Sequence, residues 1–554
     1  MRILTLLLII SNYLFPSFSS ANPSINLDGW VGVESNFKPE MISEKSFGKL
    51  WTNELDGNVY GALTYVKKNQ SWKNTQNLII AATVRNSIYA LNENTGSVVW
   101  SREKLLPVSD ETPPTECDWK KKPQVGKNPN LKGSVGGFYY DIDTKTIYYS
   151  ANAEVNGVRD HYVWAINVED GKTKKNWPIK LDPNPLTKTN KDFYRRGAIN
   201  KIGDILVISV SSRCEFTDPS IARHYGMIYG IDVKNPHKQA VYVTAPKING
   251  GALWSTRGPI VESKGYVYVV TSNCHGSDNK SFPKLHDYLG HGGENACNAL
   301  LKLKIIKTPK QMRWKLISFF TPSNLKELDE KDLDFGSGSP ALFSYDGKGK
   351  TFLLHGGKDG IFREISTADE NKLDPIPMLM LNSYRTETAI WGGPTIYKSN
   401  RSLNAVIVGD SKNYIEINKF QINTSNLYRS HKLIHKWRTR RLNIYKPGAP
   451  TVSINKGKDA IVWVTGLRTN EKHELITIGP DNQYQGVLCA FNAEDGSMLY
   501  CSNGQKNINR DLINGYGKWM SPLVVDDQIL VGGNGVTSFG FLYKREGDAK
   551  RAKQ

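Results

Sequence analysis

Along most of the chain apolar and polar positions alternate, and helical periodicity is nearly absent, so the sequence predicts short strands joined by turns. The clearest copy runs Ile88-Tyr89-Ala90-Leu91-Asn92, turns at Gly96 and closes on Val98-Val99-Trp100. Val487 to Tyr500 repeats it through Gly496, and Val163 to Trp177 repeats it through Gly171 with a longer tail. Glycine suits these turns because tight hairpins require positive φ.

The closing aromatic recurs at Trp51, Trp100, Trp177, Tyr242, Trp314, Trp437 and Tyr500. The gap from Trp314 to Trp437 is roughly double, so one copy has lost its aromatic near Met378 to Met380. Each unit is long enough for four strands. The pattern therefore predicts an all-β fold, an eight-bladed β-propeller of four-stranded antiparallel blades. A second signal precedes the innermost strands: Arg257-Gly258-Pro259, Gly338-Ser339-Pro340, Gly392-Gly393-Pro394, Gly448-Ala449-Pro450 and Ser521-Pro522. Small residues suit crowding at the axis, and proline suits the first residue of a strand. Residues 519–546 supply three strands, and Lys49 to Glu54 supplies the missing outer one. An N-terminal outer strand then closes the ring and hides its edges.

The ends set the compartment. Met1-Arg2, the apolar run Ile3 to Ile10 and Ser19-Ser20-Ala21 read as a signal peptide cleaved after Ala21. That run is too short to span a bilayer, and no other apolar run is long enough. The expected product is a secreted or periplasmic monomer: one propeller domain over 22–546 and a basic tail over 547–554.

Net charge is +19, which invites a nucleic-acid reading. The basic residues are scattered, however, and no nucleic-acid-binding motif accompanies them. Diffuse positive charge fits attraction to anionic polymers or the cell envelope better.

Six cysteines in an exported chain predict disulfides. Cys274 and Cys297 would close a long loop, and Cys489 and Cys501 lie on neighbouring strands of one hairpin. Cys117 and Cys214 remain as the third pair. A zinc site from Cys274, His275, His286, His291 and Cys297 is the competing reading, but its spacing matches no short structural-zinc motif. No metal site is assigned.

The Ala-x-Asn…Gly…aromatic repeat resembles the tryptophan-docking repeat of the pyrroloquinoline-quinone (PQQ) family, the quinoprotein alcohol dehydrogenases and PQQ-like propellers. The resemblance covers nearly all of residues 28–545. Asp334-Phe335-Gly336-Ser337-Gly338 is similar to the segment around the dehydrogenases' catalytic aspartate. His355 to Phe362 is similar to the stretch whose basic residue contacts the quinone. The resemblance implies Asp334 as the base and Lys358 as the cation, with PQQ and Ca²⁺ as cofactors. Two family features are missing: no two cysteines are adjacent, and the Glu/Asn calcium ligands have no clear match.

In a four-stranded blade the linkers between blades share one face with the loops between the second and third strands. That face carries the long segments, where function concentrates. Its axial mouth should receive Arg195, Arg196, Trp254, Arg257, Asp334, Trp391, Lys518 and Trp519. Indoles beside cations suit a flat anionic ligand, a sugar or an acidic polymer. The leading expectation is a binding or interaction module for such a small or polymeric ligand, or for an envelope protein. The alternative is a PQQ- and calcium-dependent dehydrogenase oxidising an alcohol or sugar.

Overall fold

The computed structural model describes residues 32–542 apart from 62, 69–75, 103–135, 156–157, 184, 187–192, 213–224, 263, 276–281, 345–350, 368–375, 412–413, 424–431, 471, 473, 479–482, 505–507 and 518–519. The expected signal peptide, Cys117, Cys214, Lys518, Trp519 and the basic tail lie outside the described residues. Among the described residues no helix is long and apolar enough to cross a membrane.

Seven blades, each a four-stranded antiparallel meander from one continuous stretch, follow one another over 64–102, 139–180, 200–243, 260–320, 341–385, 395–438 and 451–501. The expectation of eight blades is thus corrected to seven. The aromatic spacing counted Trp51 as marking a further unit. Trp51 lies on Phe47–Glu54, which, as the sequence led us to expect, pairs antiparallel with Gly535–Phe541 at the other end of the chain. With Gln528–Gly532 and Leu523–Val525 it forms a composite sheet between blade seven and blade one. That sheet is a joint between chain ends, and no single stretch of sequence encodes it.

Apolar faces of neighbouring sheets interlock. The composite sheet presents Val524, Ile529 and Val531 to Ile461, Trp463 and Leu488 of blade seven. Its other face presents Leu523, Leu530 and Val536 to Ile79, Ala81 and Leu91 of blade one. Phe37 and Phe47 fill the joint, Phe37 lying 5.3 Å from the rings of both Trp463 and Phe541. Burial of this apolar surface, at about 25 cal/mol per Å², is what closes the ring.

The repeat's turn and aromatic explain each other. Trp100 of blade one covers Gly171 of blade two and donates its indole N–H to the Val168 carbonyl at 2.9 Å. Trp437 does the same over Gly496, donating to Ala493 at 3.1 Å. A Cβ at Gly171 would stand 2.6 Å from the Trp100 ring, and its φ of +69° disfavours a side chain as well. Trp314 departs from the pattern, turning back to the Ala240 carbonyl of blade three at 3.3 Å. In blade five the outer strand Leu379–Arg385 carries no tryptophan, and Leu379 and Met380 are exposed instead.

The N-terminal strand Gly32–Glu34 adds in parallel to the open edge of Thr451–Asn455, the innermost strand of blade seven. From there the chain passes through the turn Pro39–Met41 on its way to Phe47–Glu54.

Cys274 and Cys297 form a disulfide with Cα atoms 5.5 Å apart, which excludes them as ligands of the competing zinc reading. Cys489 and Cys501 are bonded across directly paired positions of their hairpin.

Candidate functional site: the axial mouth

Asp334 ends the linker into blade five, just before the helical turn Phe335–Ser337. Lys358 lies in the next hairpin, and its backbone N–H donates to the Asp334 carbonyl at 3.1 Å. The side chains follow the backbone. Lys358 Nζ is 2.5 Å from Asp334 Oδ2 and 3.1 Å from Asp332 Oδ2. Asp334 Oδ1 also accepts the Asn273 N–H at 3.2 Å, and the Asn273 side-chain amide donates to Asp332 at 3.0 Å. Burial alone would lower the Lys358 pKa, but Asp334 and Asp332 outweigh it and the ammonium is held above its usual range. Asp332 is raised by burial and by Asp334, with Lys358 opposing.

Around this triad stand further groups. His275 is pushed down by burial, against the pull of Asp332 and Asp334. Trp391 is half-buried, with Lys358 Nζ at 5.4 Å and Lys446 Nζ at 5.1 Å from its ring. Lys446 pairs with Asp410 at 3.5 Å, and burial still pushes that carboxyl up to about 6. Arg196 lies over Trp254 at 4.7 Å, repeating the cation-on-indole arrangement.

The two other arginines face protein rather than the opening. Arg195 is buried and donates to the Gly137 and Gly197 carbonyls, both at 2.6 Å, and to Ser150 at 3.1 Å. It clamps blade two to the linker of blade three. Arg257 is equally buried and reaches to blade six, bonding the Pro394 carbonyl and, at 2.8 Å, Thr395 Oγ1. Those bonds occupy the donors that the sequence reading had offered to a ligand.

Sequence reasoning missed Asp332, Asn273, Lys446 and Asp410, and had weighed His275 only as a zinc ligand. Asp332 carried one signal, standing two residues before Asp334 in Asp-Leu-Asp. The rest come from other linkers and loops, and only the ring brings them together. Just behind the triad, Asp329 accepts the Cys274 N–H at 3.0 Å, the Asn298 amide at 2.7 Å and the Tyr288 hydroxyl. Burial pushes Asp329 up to about 7, so this carboxyl ties the disulfide loop to the mouth.

The residues present do not fit a calcium-bound quinone. A divalent cation at Asp334 would sit against the Lys358 ammonium, and among the described residues no group of three His, Cys, Asp or Glu side chains could hold a metal. Lys358, expected to polarise a quinone carbonyl, already spends its donors on two carboxylates.

The fold defines a β-propeller with four-stranded antiparallel blades. No protein-family model matches the chain, and no curated protein does. Among solved structures it is similar to the quinohemoprotein alcohol dehydrogenase ADHIIG of Pseudomonas putida HK5, with a TM-score of 0.54 at 10% identity over 93% of this chain and 78% of that one. The quinohemoprotein alcohol dehydrogenase of Comamonas testosteroni gives 0.53 at 11% identity, with the same coverage. BamB of Moraxella catarrhalis gives 0.47 at 11% identity over 89% of this chain and all of that one. At these identities the likeness concerns the fold alone, and the fold is of the quinoprotein-like propeller type.

Proposed function

We propose that this chain is a binding propeller whose axial mouth engages an anionic or sugar-bearing ligand, rather than an oxidoreductase. One observation carries the reading: Lys358 and Asp334, the cation and base that a quinone enzyme would set against cofactor and substrate, are bonded to each other at 2.5 Å. Both oxygens of that carboxylate are already engaged, Oδ2 by the ammonium and Oδ1 by the Asn273 N–H. What the mouth offers a ligand is the pair of half-buried indoles, Trp254 and Trp391, each beside a cation. The net charge of +19 would draw an acidic polymer toward it. Export through the N-terminal signal peptide, to the periplasm or the medium, belongs to the same proposal.

The likeness to two quinohemoprotein alcohol dehydrogenases favours the alternative of a PQQ- and calcium-dependent dehydrogenase. One experiment separates the two. The purified mature chain is mixed with PQQ and Ca²⁺ and assayed for dye-linked alcohol oxidation, then run in affinity gels containing alginate or dextran. Salt-sensitive retardation by alginate without oxidation supports the binding module. Stoichiometric quinone uptake with oxidation that Asp334→Asn abolishes would replace it with the dehydrogenase.

A further inference from the structure

Blade six and blade seven enclose a cavity of about 270 Å³ on the face opposite the mouth, where the short turns lie. The turn after Ile396-Tyr397-Lys398-Ser399, the turn Lys456 to Lys458 and the turn Asn492 to Gly496 form its walls. Pro39 and Glu40 of the N-terminal segment add the last side. The turns are fastened to each other, Ser399 Oγ donating to the Lys458 carbonyl and the Asn400 N–H to Gly457 at 3.0 Å.

Polar groups in this cavity are graded by depth. At the base are Tyr397, fully buried, and Lys419, 6% exposed. The Tyr397 hydroxyl has no hydrogen-bond partner, although buried hydroxyls are normally satisfied. Burial, and then the nearby Glu494 carboxylate, raise its pKa, so the hydroxyl keeps its proton. Lys419 Nζ reaches Glu494 at only 3.6 Å, and Glu494 itself is 78% exposed. The rim carries three carboxylates, Glu494, Glu40 and the half-buried Asp459, and one exposed ammonium, Lys458, so it is acidic on balance. Two buried donors thus line the base with Glu494 as their one loose partner, while three carboxylates and the Lys458 ammonium stand at the entrance.

We propose that this cavity is a binding site for a small zwitterion of the α-amino-acid type. The carboxylate would be held at the base by Tyr397 and Lys419, and the ammonium at the rim by Glu494, Glu40 and Asp459. A simple anion would meet the acidic rim, and a simple cation would leave the base donors unanswered. The volume suits a small molecule and falls below the range of drug-sized sites. This site is independent of the mouth and of what the mouth binds.

The test is isothermal titration of the mature chain with L-alanine, L-glutamate and L-lysine, alongside sodium acetate and methylammonium chloride as half-ligands. Saturable binding of at least one amino acid is expected, with both half-ligands at least about tenfold weaker. Tyr397→Phe should weaken amino-acid binding about tenfold or more, through loss of a hydrogen bond to a charged group. It should leave the melting temperature unchanged or raised, because it removes a buried hydroxyl that has no partner. Lys419→Met should weaken binding likewise, and if that variant does not fold, Tyr397→Phe carries the test alone. The proposal is overturned by no saturable binding of any amino acid, by acetate binding as tightly as alanine, or by unchanged affinity in Tyr397→Phe.

Discussion

The joint where the chain ends meet and the axial mouth are built on opposite principles. The joint is apolar: Phe37, Phe47, Trp463 and Phe541 interlock between two sheets. A fully buried carboxylate there, Asp511, is satisfied by the Lys49 N–H at 3.0 Å, the Tyr500 hydroxyl at 2.8 Å and Arg510 at 2.6 Å. The mouth is a mosaic of charges that answer one another, Lys358 with Asp332 and Asp334, and Lys446 with Asp410. Apolar burial is additive and tolerant of small changes. A charge mosaic is not, since removing one member leaves its partner uncompensated. The joint should therefore govern whether the ring exists, and the mouth should govern what it does.

The largest effect is expected at the joint. Deleting residues 32–54 removes Phe37, Phe47 and the outer strand of the composite sheet, leaving the edge of Gly535–Phe541 open to other chains. The truncated protein should aggregate and lose cooperative melting, read by sedimentation and differential scanning fluorimetry. A soluble truncation with a sharp transition would show that blade seven and blade one hold without the joint. Trp463→Ala is the graded version, and chemical denaturation should show a loss of about 3–5 kcal/mol.

Next comes the mosaic. Lys358→Met strips Asp334 of its counter-ion at the mouth, at a cost of about 3 kcal/mol in urea unfolding. Lys358→Met with Asp334→Leu should recover most of that loss, since replacing both charges removes the uncompensated one. If the double variant is as unstable as the single one, the pair is not what holds the linker to its hairpin.

These contrasts explain what the sequence made legible. Alternation, the Gly96, Gly171 and Gly496 turns and the tryptophans that dock on them are local and repeated, so the blade pattern could be read directly. The pairing of the chain ends was legible too, since the C-terminal strands lack an outer partner that Lys49 to Glu54 supplies; the count overran by one because it scored that composite sheet, where Trp51 faces Ser538, as a blade of its own. At the mouth, Asp334 and Lys358 were legible through their resemblance to a known segment, but their mutual bond was not. Arg257 looked like a ligand-facing cation because nothing in Arg-Gly-Pro reveals that Pro394 and Thr395 of blade six take its guanidinium.

A smaller effect distinguishes the regions by pH. Burial pushes Asp410 up to about 6 and Asp329 up to about 7, above the ordinary carboxylate range. A carboxyl whose pKa is raised by folding contributes stability at low pH and loses it as pH rises through the folded value. Between about pH 4 and 7 these two groups should therefore make the fold less stable as pH increases. Asp410→Asn removes one of them, so the stability of the variant relative to the parent should rise by about 1–3 kcal/mol across that range. Parallel urea titrations at several pH values check it, and a constant difference would mean that Asp410 stays ionised beside Lys446.

The smallest effect on stability should be the most telling for function. Trp254→Ala and Trp391→Ala each remove an indole from beneath a cation at the mouth, and neither side chain is fully buried. If the mouth binds an acidic or sugar-bearing polymer, each change should weaken retention in alginate gels by about 0.5–2 kcal/mol, the worth of a cation–π or stacking contact. Trp437→Ala provides the contrast, because that indole docks on Gly496 and Ala493 between blades and takes no part in the mouth. It should lower the melting temperature and leave retention unchanged. The opposite outcome, with retention lost in Trp437→Ala and preserved in both mouth variants, would move the ligand off the axis and onto the outer surface of the blades.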